Sequence, residues 1–259
     1  MSPKDWSPEQ YLRFSRERKL PSVDLLSRIT EKSPANVIDV GCGPGNSTRL
    51  LKERWPSARV VGLDNSPAMI ERAKTDSPGG EWLLAEAGTA RIEGTFDLAF
   101  SNATIQWVPD HPGLMQWFRN LLNKDGVLAV QIPLFSNMPL GASIDRVSKS
   151  IRWEKALGTV GNLLTFHTPR EYFDMLSPLF SSIEMWETRY IHIFDDQRAI
   201  FDMISSTGLR PYVNALATNE ERNAFEAEVY ETIRKDYPLQ NNGQVLFPFY
   251  RLFFTGIAK

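Results

Sequence analysis

The sequence predicts an α/β fold, a parallel sheet covered by helices on both faces. Three observations carry this. Short apolar, β-branched runs alternate with amphipathic segments from Asn36 to about Pro133. A glycine-rich turn, "GCGPGN", joins the first such run to the first helical segment. The chain of 259 residues is 42% hydrophobic and 23% charged, so it can bury one large core with insertions.

In order, the strand candidates are "NVIDV", "ARVVGLD", "EWLLAEA", "FDLAFSN" and "GVLAVQIP", each bounded by turn residues. Between them "NSTRLLKERW", "SPAMIERAK" and "HPGLMQWFRNLL" have helical apolar spacing. The alternation stops after Pro133. A mixed helical stretch follows, interrupted by "SSIEMWETRYIHIF", a long strand, and the chain closes on a second strand, "GQVLFPFYRLFFTGIAK". Pro248 has no N–H for a ladder, so it belongs at that strand's start or at a bulge.

Composition also excludes functions. A formal net charge of -2 provides no field to hold a polyanion, so no nucleic-acid partner is expected. The opening "MSPKDWSPEQYLRFSRERKL" has no apolar signal core, and no segment approaches the roughly 18 apolar residues of a membrane span, so a cytoplasmic protein with no membrane partner is expected. Cys42 is the lone cysteine, and His111, His167 and His192 lack metal-ligand spacing, so neither a disulfide nor a metal is expected.

The glycine turn decides the ligand class. A strand ending near Asp39, then Gly41, Gly43 and Gly45, puts bare backbone at the carboxyl end of the first strand, where open parallel sheets bind ligands. A dinucleotide fingerprint needs a third glycine where Asn46 stands, and a triphosphate loop needs a lysine after its last glycine. Both are missing. The pattern D-x-G-x-G-x-G instead aims a carboxylate at the turn, which repels pyrophosphate and suits the ammonium end of S-adenosylmethionine. Asp64 at the next strand tip has two readings, acceptor for both ribose hydroxyls or cap of the following helix, a role Asn65 or Ser66 could equally fill. At the third tip, Glu86 or the Ala87 N–H could read adenine, and Glu86 could equally be a solvated loop acid. Cys42 is a small turn residue with no neighbouring base, and no nucleophilic role is assigned to it.

"VIDVGCGPG", "VVGLD" and "FDLAFSNATIQWVPDH" together resemble the class I S-adenosylmethionine-dependent methyltransferases. "WSPEQYLRFSRERKLPSVDLLSRI", "SNATIQWVPDHPGL", "TGLRPY" and "YPLQNNGQVLFPFYRLFF" narrow the resemblance, over essentially the whole chain, to bacterial members that esterify a small tricarboxylate. It implies a Rossmann-like seven-stranded sheet with the last strand antiparallel between its neighbours. It also implies a single domain over 1–259, with an amino-terminal helical lid over 1–32, a cofactor-binding half over 33–133, and roof helices with the last two strands over 134–259. S-adenosylmethionine is the implied cofactor, held by Asp39, the three glycines, Asp64, Asn65, Glu86, Ala87 and Asn102. Glu86 departs from the aspartate common in this class. A methyltransferase for another free or carrier-linked carboxylate, of the malonyl-thioester type, shares these cofactor motifs, and "RFSRERK" is the only dense basic segment for docking a carrier.

The implied nucleophile is a carboxylate, already ionised near neutral pH, so no catalytic general base is expected. Binding a tricarboxylate takes forked cations, and the arginines outside the cofactor half are Arg13, Arg18, Arg146, Arg152, Arg170, Arg189, Arg210 and Arg251. Arg210, on a fixed turn between glycine and proline, leads, with Arg18 second and Arg146 after it. Gln106 and Trp107 follow the fourth strand, beside the transferred methyl, although Trp107 also suits a core position. Tyr11 and Phe14, three apart on the opening helical pattern, serve a lid or plain packing; His167 and Tyr190 are weaker carboxylate contacts. A monomer acting on a small molecule is expected.

Overall fold

The computed structural model describes residues 14–29 and 33–259. Its strands are β1 (Asn36–Val40), β2 (Arg59–Asp64), β3 (Glu81–Leu84), β4 (Phe96–Asn102), β5 (Leu122–Pro133), β6 (Phe180–Phe194) and β7 (Val245–Ala258). They form one seven-stranded sheet in the order β3-β2-β1-β4-β5-β7-β6. The pairs β1–β2, β1–β4, β2–β3 and β4–β5 are parallel. β1 and β4 are buried almost throughout, as central strands covered on both faces must be. The strand order reverses beside β1, with β2 on one side and β4 on the other, and it is there that open α/β sheets bind ligands.

The chain divides into two compact units. The first comprises residues 1–132, 165–187 and 251–259. It carries α1 (Ser15–Ser27), α2 (Asn46–Arg54), α3 (Pro67–Asp76), α4 (His111–Leu121) and α7 (Pro169–Leu176). Leu25, Leu26 and Ile29 bury one side of the α1 segment. Arg54 of α2 donates to the Leu26 and Ile29 carbonyls at 2.8 and 2.9 Å, so a guanidinium satisfies acceptors that the helix end leaves open. Of the expected lid, Tyr11 and Arg13 lie outside the described residues. Phe14 is buried, in keeping with packing.

The second unit comprises residues 133–164 and 188–250, with α5 (Pro139–Ser148), α6 (Glu154–Leu157), α8 (Gln197–Ser205), α9 (Arg210–Ala215) and α10 (Asn219–Asp236). α10 starts at a capping box between Thr218 and Glu221 and buries Phe225, Val229 and Ile233. His192, Phe194, Phe247 and Phe249 build an aromatic cluster on the strand segments of this unit. Pro248 is the fourth residue of β7, close to its start. Among the described residues no helix is long and apolar enough to cross a membrane.

Candidate active site

The site is built at the carboxyl ends of β1, β2 and β4. Asp39 is fully buried, and its Oδ2 accepts from Ser47 Oγ at 2.7 Å and Thr48 Oγ1 at 2.6 Å, both in the first turn of α2. Its Oδ1 is buried with no hydrogen-bond partner among the described residues. Burial raises the Asp39 pKa from 3.8 to about 6, against the lowering by the two hydroxyls. Buried and half-satisfied, this carboxylate calls for a cationic or donor ligand.

The three glycines turn out to serve different ends. Gly41 has φ +76, and a β-carbon there would meet Thr104 Oγ1 at 2.0 Å, so its bareness accommodates Thr104 rather than a ligand. At Gly45 a β-carbon would meet Trp82 at 2.7 Å. Only Gly43, at φ +54, faces space in which no described atom lies within 4 Å of an added β-carbon. Gly43 N–H donates to Asp64 Oδ2 at 2.9 Å, which ties the loop to the tip of β2.

Asp64 accepts from Ser66 N–H on Oδ1 at 2.8 Å, while Ser66 itself caps α3 by accepting from Met69 N–H. Asp64 is therefore not the helix cap. Burial raises its pKa, although the Ser66, Gly43 and Asn65 N–H groups oppose the shift. Asn65 Nδ2 donates to Glu86 Oε2 at 3.2 Å, so these two exposed residues meet across the tips of β2 and β3, with Ala87 half-buried beside Glu86.

Past β4 the backbone strains. Ala103 adopts φ 55, a left-handed conformation that a non-glycine residue reaches at a cost, and its N–H donates to the Gln131 carbonyl at 2.9 Å. Asn102 Oδ1 and Gln106 Oε1 are buried without partners among the described residues. Gln106 Nε2 donates to the Ala103 carbonyl at 2.7 Å, fixing the side chain, and Trp107 is half-buried in the same 3-10 turn, Ile105–Trp107.

A family model described as a methyltransferase domain matches residues 11–211. The chain belongs to this methyltransferase family. Over 251 residues it is 40% identical to the trans-aconitate 2-methyltransferase of Escherichia coli (strain 55989 / EAEC), covering 96% of each chain. It is equally similar to the protein of that name in Shigella flexneri, at 40% identity and 96% coverage of each. Among solved structures it resembles Haemonchus contortus phosphoethanolamine N-methyltransferase 2 in complex with S-adenosylmethionine, with a TM-score of 0.58, 14% identity and coverage of 93% of this chain and 53% of that one. The chain thus spans about half the length of that structure. Geranyl diphosphate C-methyltransferase from Streptomyces coelicolor A3(2), in complex with S-adenosylhomocysteine, follows at TM-score 0.55, 15% identity and coverage of 94% and 77%. At such identities the structures testify to the fold.

The methyltransferase cofactor fits what the site presents. Asp39 Oδ1 is an acceptor awaiting a donor, the open face of Gly43 is room for a ligand, and Asp64 presents two acceptor oxygens beside it. Cys42 is buried and its thiol is pushed well up by burial, which removes it as a nucleophile.

Two histidines of this methyltransferase are structural partners. His111 Nε2 lies 2.8 Å from the Ile105 carbonyl, which only accepts, so the ring proton sits on Nε2 and Nδ1 accepts from the Tyr172 hydroxyl at 3.0 Å. His111 is fully buried, and burial lowers its pKa. His167 packs against both rings, centroids 4.9 Å from His111 and 5.5 Å from Tyr172.

The arginines scatter. Arg146 is ion-paired with Asp236 at 3.0 Å and Arg152 with Glu228 at 2.5 Å, while Arg189 lies over the Tyr250 ring, all in the second unit. Tyr190, also there, stacks on His192. Arg210 opens α9, half-buried, with its N–H on the Thr207 carbonyl at 3.1 Å. Arg170 is exposed, and Arg18 stands in the first half of α1. Sequence reasoning passed over Ser47, Thr48, Thr104 and Gln131. The signal for Gln131 was present: it is a lone amide in the apolar run "VLAVQIP" of a buried strand.

Proposed function

We propose that this methyltransferase esterifies a carboxylate of trans-aconitate, yielding the monomethyl ester and S-adenosylhomocysteine. The observation that carries this is the 40% identity, over 96% of both chains, to enzymes named for that reaction. When bound, S-adenosylmethionine supplies an electrophilic methyl group on a sulfonium. Asp39 Oδ1 receives the ammonium end, the Gly41–Gly45 loop lies along the cofactor, Asp64 accepts from the ribose, and Asn65, Glu86 and Ala87 border the adenine. Asn102 and Gln106 present acceptors beside the methyl, and Trp107 walls it. Arg210, fixed between glycine and proline, leads the candidates for the substrate's carboxylates, with Arg18, Arg146 and Tyr11 after it.

No side chain needs to remove a proton, because the carboxylate arrives ionised. In keeping with this, His111 spends both ring nitrogens on Ile105 and Tyr172. The chain's contribution is alignment of oxygen, methyl and sulfur with water excluded, an effect worth roughly 7–11 kcal/mol in well-oriented systems. We place the enzyme in the cytoplasm as a monomer acting on a free small molecule.

Incubation with methyl-labelled S-adenosylmethionine and a panel of di- and tricarboxylates, together with a malonyl thioester, tests the assignment. Base-labile label should appear in trans-aconitate, and kcat at saturation should reveal no essential base titrating between about pH 6 and 8. Label confined to another acceptor overturns the substrate assignment.

A further inference from the structure

A row of polar groups crosses one face of the sheet in the first unit. Asp39 of β1 pairs in register with Phe100 of β4, and Asn102, two residues on, pairs with Gln131 of β5. Paired positions of parallel strands share a face, as do positions two apart, so Asp39, Asn102 and Gln131 project to the same side. Arg251 of the next strand, β7, joins the row by donating from Nη1 to Gln131 Oε1 at 3.1 Å. Gln131 is fully buried and Arg251 is 4% exposed.

The row is polarised. Towards β1 it ends in acceptors, Asp39 Oδ1 and Asn102 Oδ1, that lack partners among the described residues. Towards β7 the unsatisfied group is a donor, the Gln131 amide Nε2. That orientation is forced: a guanidinium only donates, so the amide oxygen faces Arg251 and the amide nitrogen faces away. A buried donor left without a partner is costly to keep. An amide N–H beside a buried guanidinium is matched by an anion with two acceptor oxygens.

We infer that Gln131 and Arg251 form a carboxylate receptor in the active site, and that the carboxylate is the methyl acceptor's. The assignment rests on the proposed carboxyl methylation. The cofactor also carries a carboxylate, but on the same carbon as its ammonium group, so the two lie closer than one strand spacing of about 4.8 Å. Asp39 on β1 and Gln131 on β5 are two strand spacings apart. An ammonium at Asp39 therefore leaves the Gln131–Arg251 end to the acceptor.

Two variants test this. Gln131→Glu keeps an oxygen for Arg251 and turns the donor face into an anion; Gln131→Met keeps length and removes the donor. Both should raise KM for trans-aconitate at least about tenfold, Gln131→Glu more, while calorimetric affinity for S-adenosylmethionine stays within about twofold and so certifies the fold. Weakened cofactor affinity with unchanged KM assigns the carboxylate to the cofactor and overturns the inference. Wild-type KM and cofactor affinity in both variants reduce the pair to a packing role and overturn it as well. A wild-type enzyme that forms no ester from trans-aconitate overturns the substrate assignment itself, and the receptor with it.

Discussion

Replacing Asp39 by asparagine should strengthen the empty protein and weaken it as an enzyme. Burial lifts the Asp39 carboxyl from 3.8 to about 6. A raised carboxyl pKa means that the stabilisation from this group is complete below about pH 3.8 and lost as pH rises through about 6. The difference of about two pKa units corresponds to about 3 kcal/mol at pH 7.5. Asparagine carries no charge to desolvate, and its amide oxygen can still accept from Ser47 and Thr48. Chemical denaturation should therefore find Asp39→Asn more stable than wild type by up to about 3 kcal/mol at pH 7.5, with the gap closing near pH 4. Binding should move the other way. An ammonium held by an ionised carboxylate is worth about 1.5–3 kcal/mol more than one facing an amide, so S-adenosylmethionine affinity should fall by about 10- to 150-fold at pH 7.5. Because binding needs the ionised form, wild-type Kd should be about tenfold weaker at pH 5 than at pH 7.5, and the variant's Kd should be flat. A wild-type Kd independent of pH over that range, or an unchanged Kd in the variant, would refute the role of Asp39 as the ammonium's partner.

The glycines separate fold from binding. Gly43→Ala should cost about 1–2 kcal/mol of stability for its positive φ and weaken cofactor binding, because the added methyl group enters the space left for a ligand. Gly41→Ala should instead unfold readily, with partial rescue by a second change, Thr104→Ala, that removes the clashing side chain; thermal melts and calorimetry distinguish the two, and wild-type affinity in Gly43→Ala would sink the distinction. Arg210→Lys keeps the charge but loses the planar fork, so KM for trans-aconitate should rise with cofactor affinity intact; an unchanged KM removes Arg210 from substrate binding.

Local pattern made the alternating strands and helices of residues 36–133 legible. β1, β2 and β4 announce themselves as apolar runs, and each carries an acid or amide at its last or next-to-last residue, so Asp39, Asp64 and Asn102 could be placed at strand tips from the sequence alone. What each glycine does could not be read. Gly41 answers to Thr104, some sixty residues on, and Gly45 to Trp82 of another strand, contacts that only the sheet brings together. The Asp39 clamp was half-visible in "NST", since residues opening a helix are placed to reach an acid at the preceding strand end. The sharing of His111 between Ile105 and Tyr172 depends on α7 lying in the same unit as α4, which no local spacing encodes.

The arginines show most clearly where sequence reasoning stops. Turn geometry favoured Arg210, because a residue fixed between glycine and proline can be located without a fold. Arg251 sits in an aromatic strand and would pass for a solvated charge on its outer face. Its placement depends on β7 lying next to β5, a pairing between segments about 120 residues apart that closes late and leaves no periodic trace. Once that pairing exists, a charged side chain at 4% exposure, bonded to a fully buried amide, cannot be solvated. A carboxylate ligand would complete the donor that Gln131 holds beside Arg251 at one end of the row, just as an ammonium would complete the acceptors at the other.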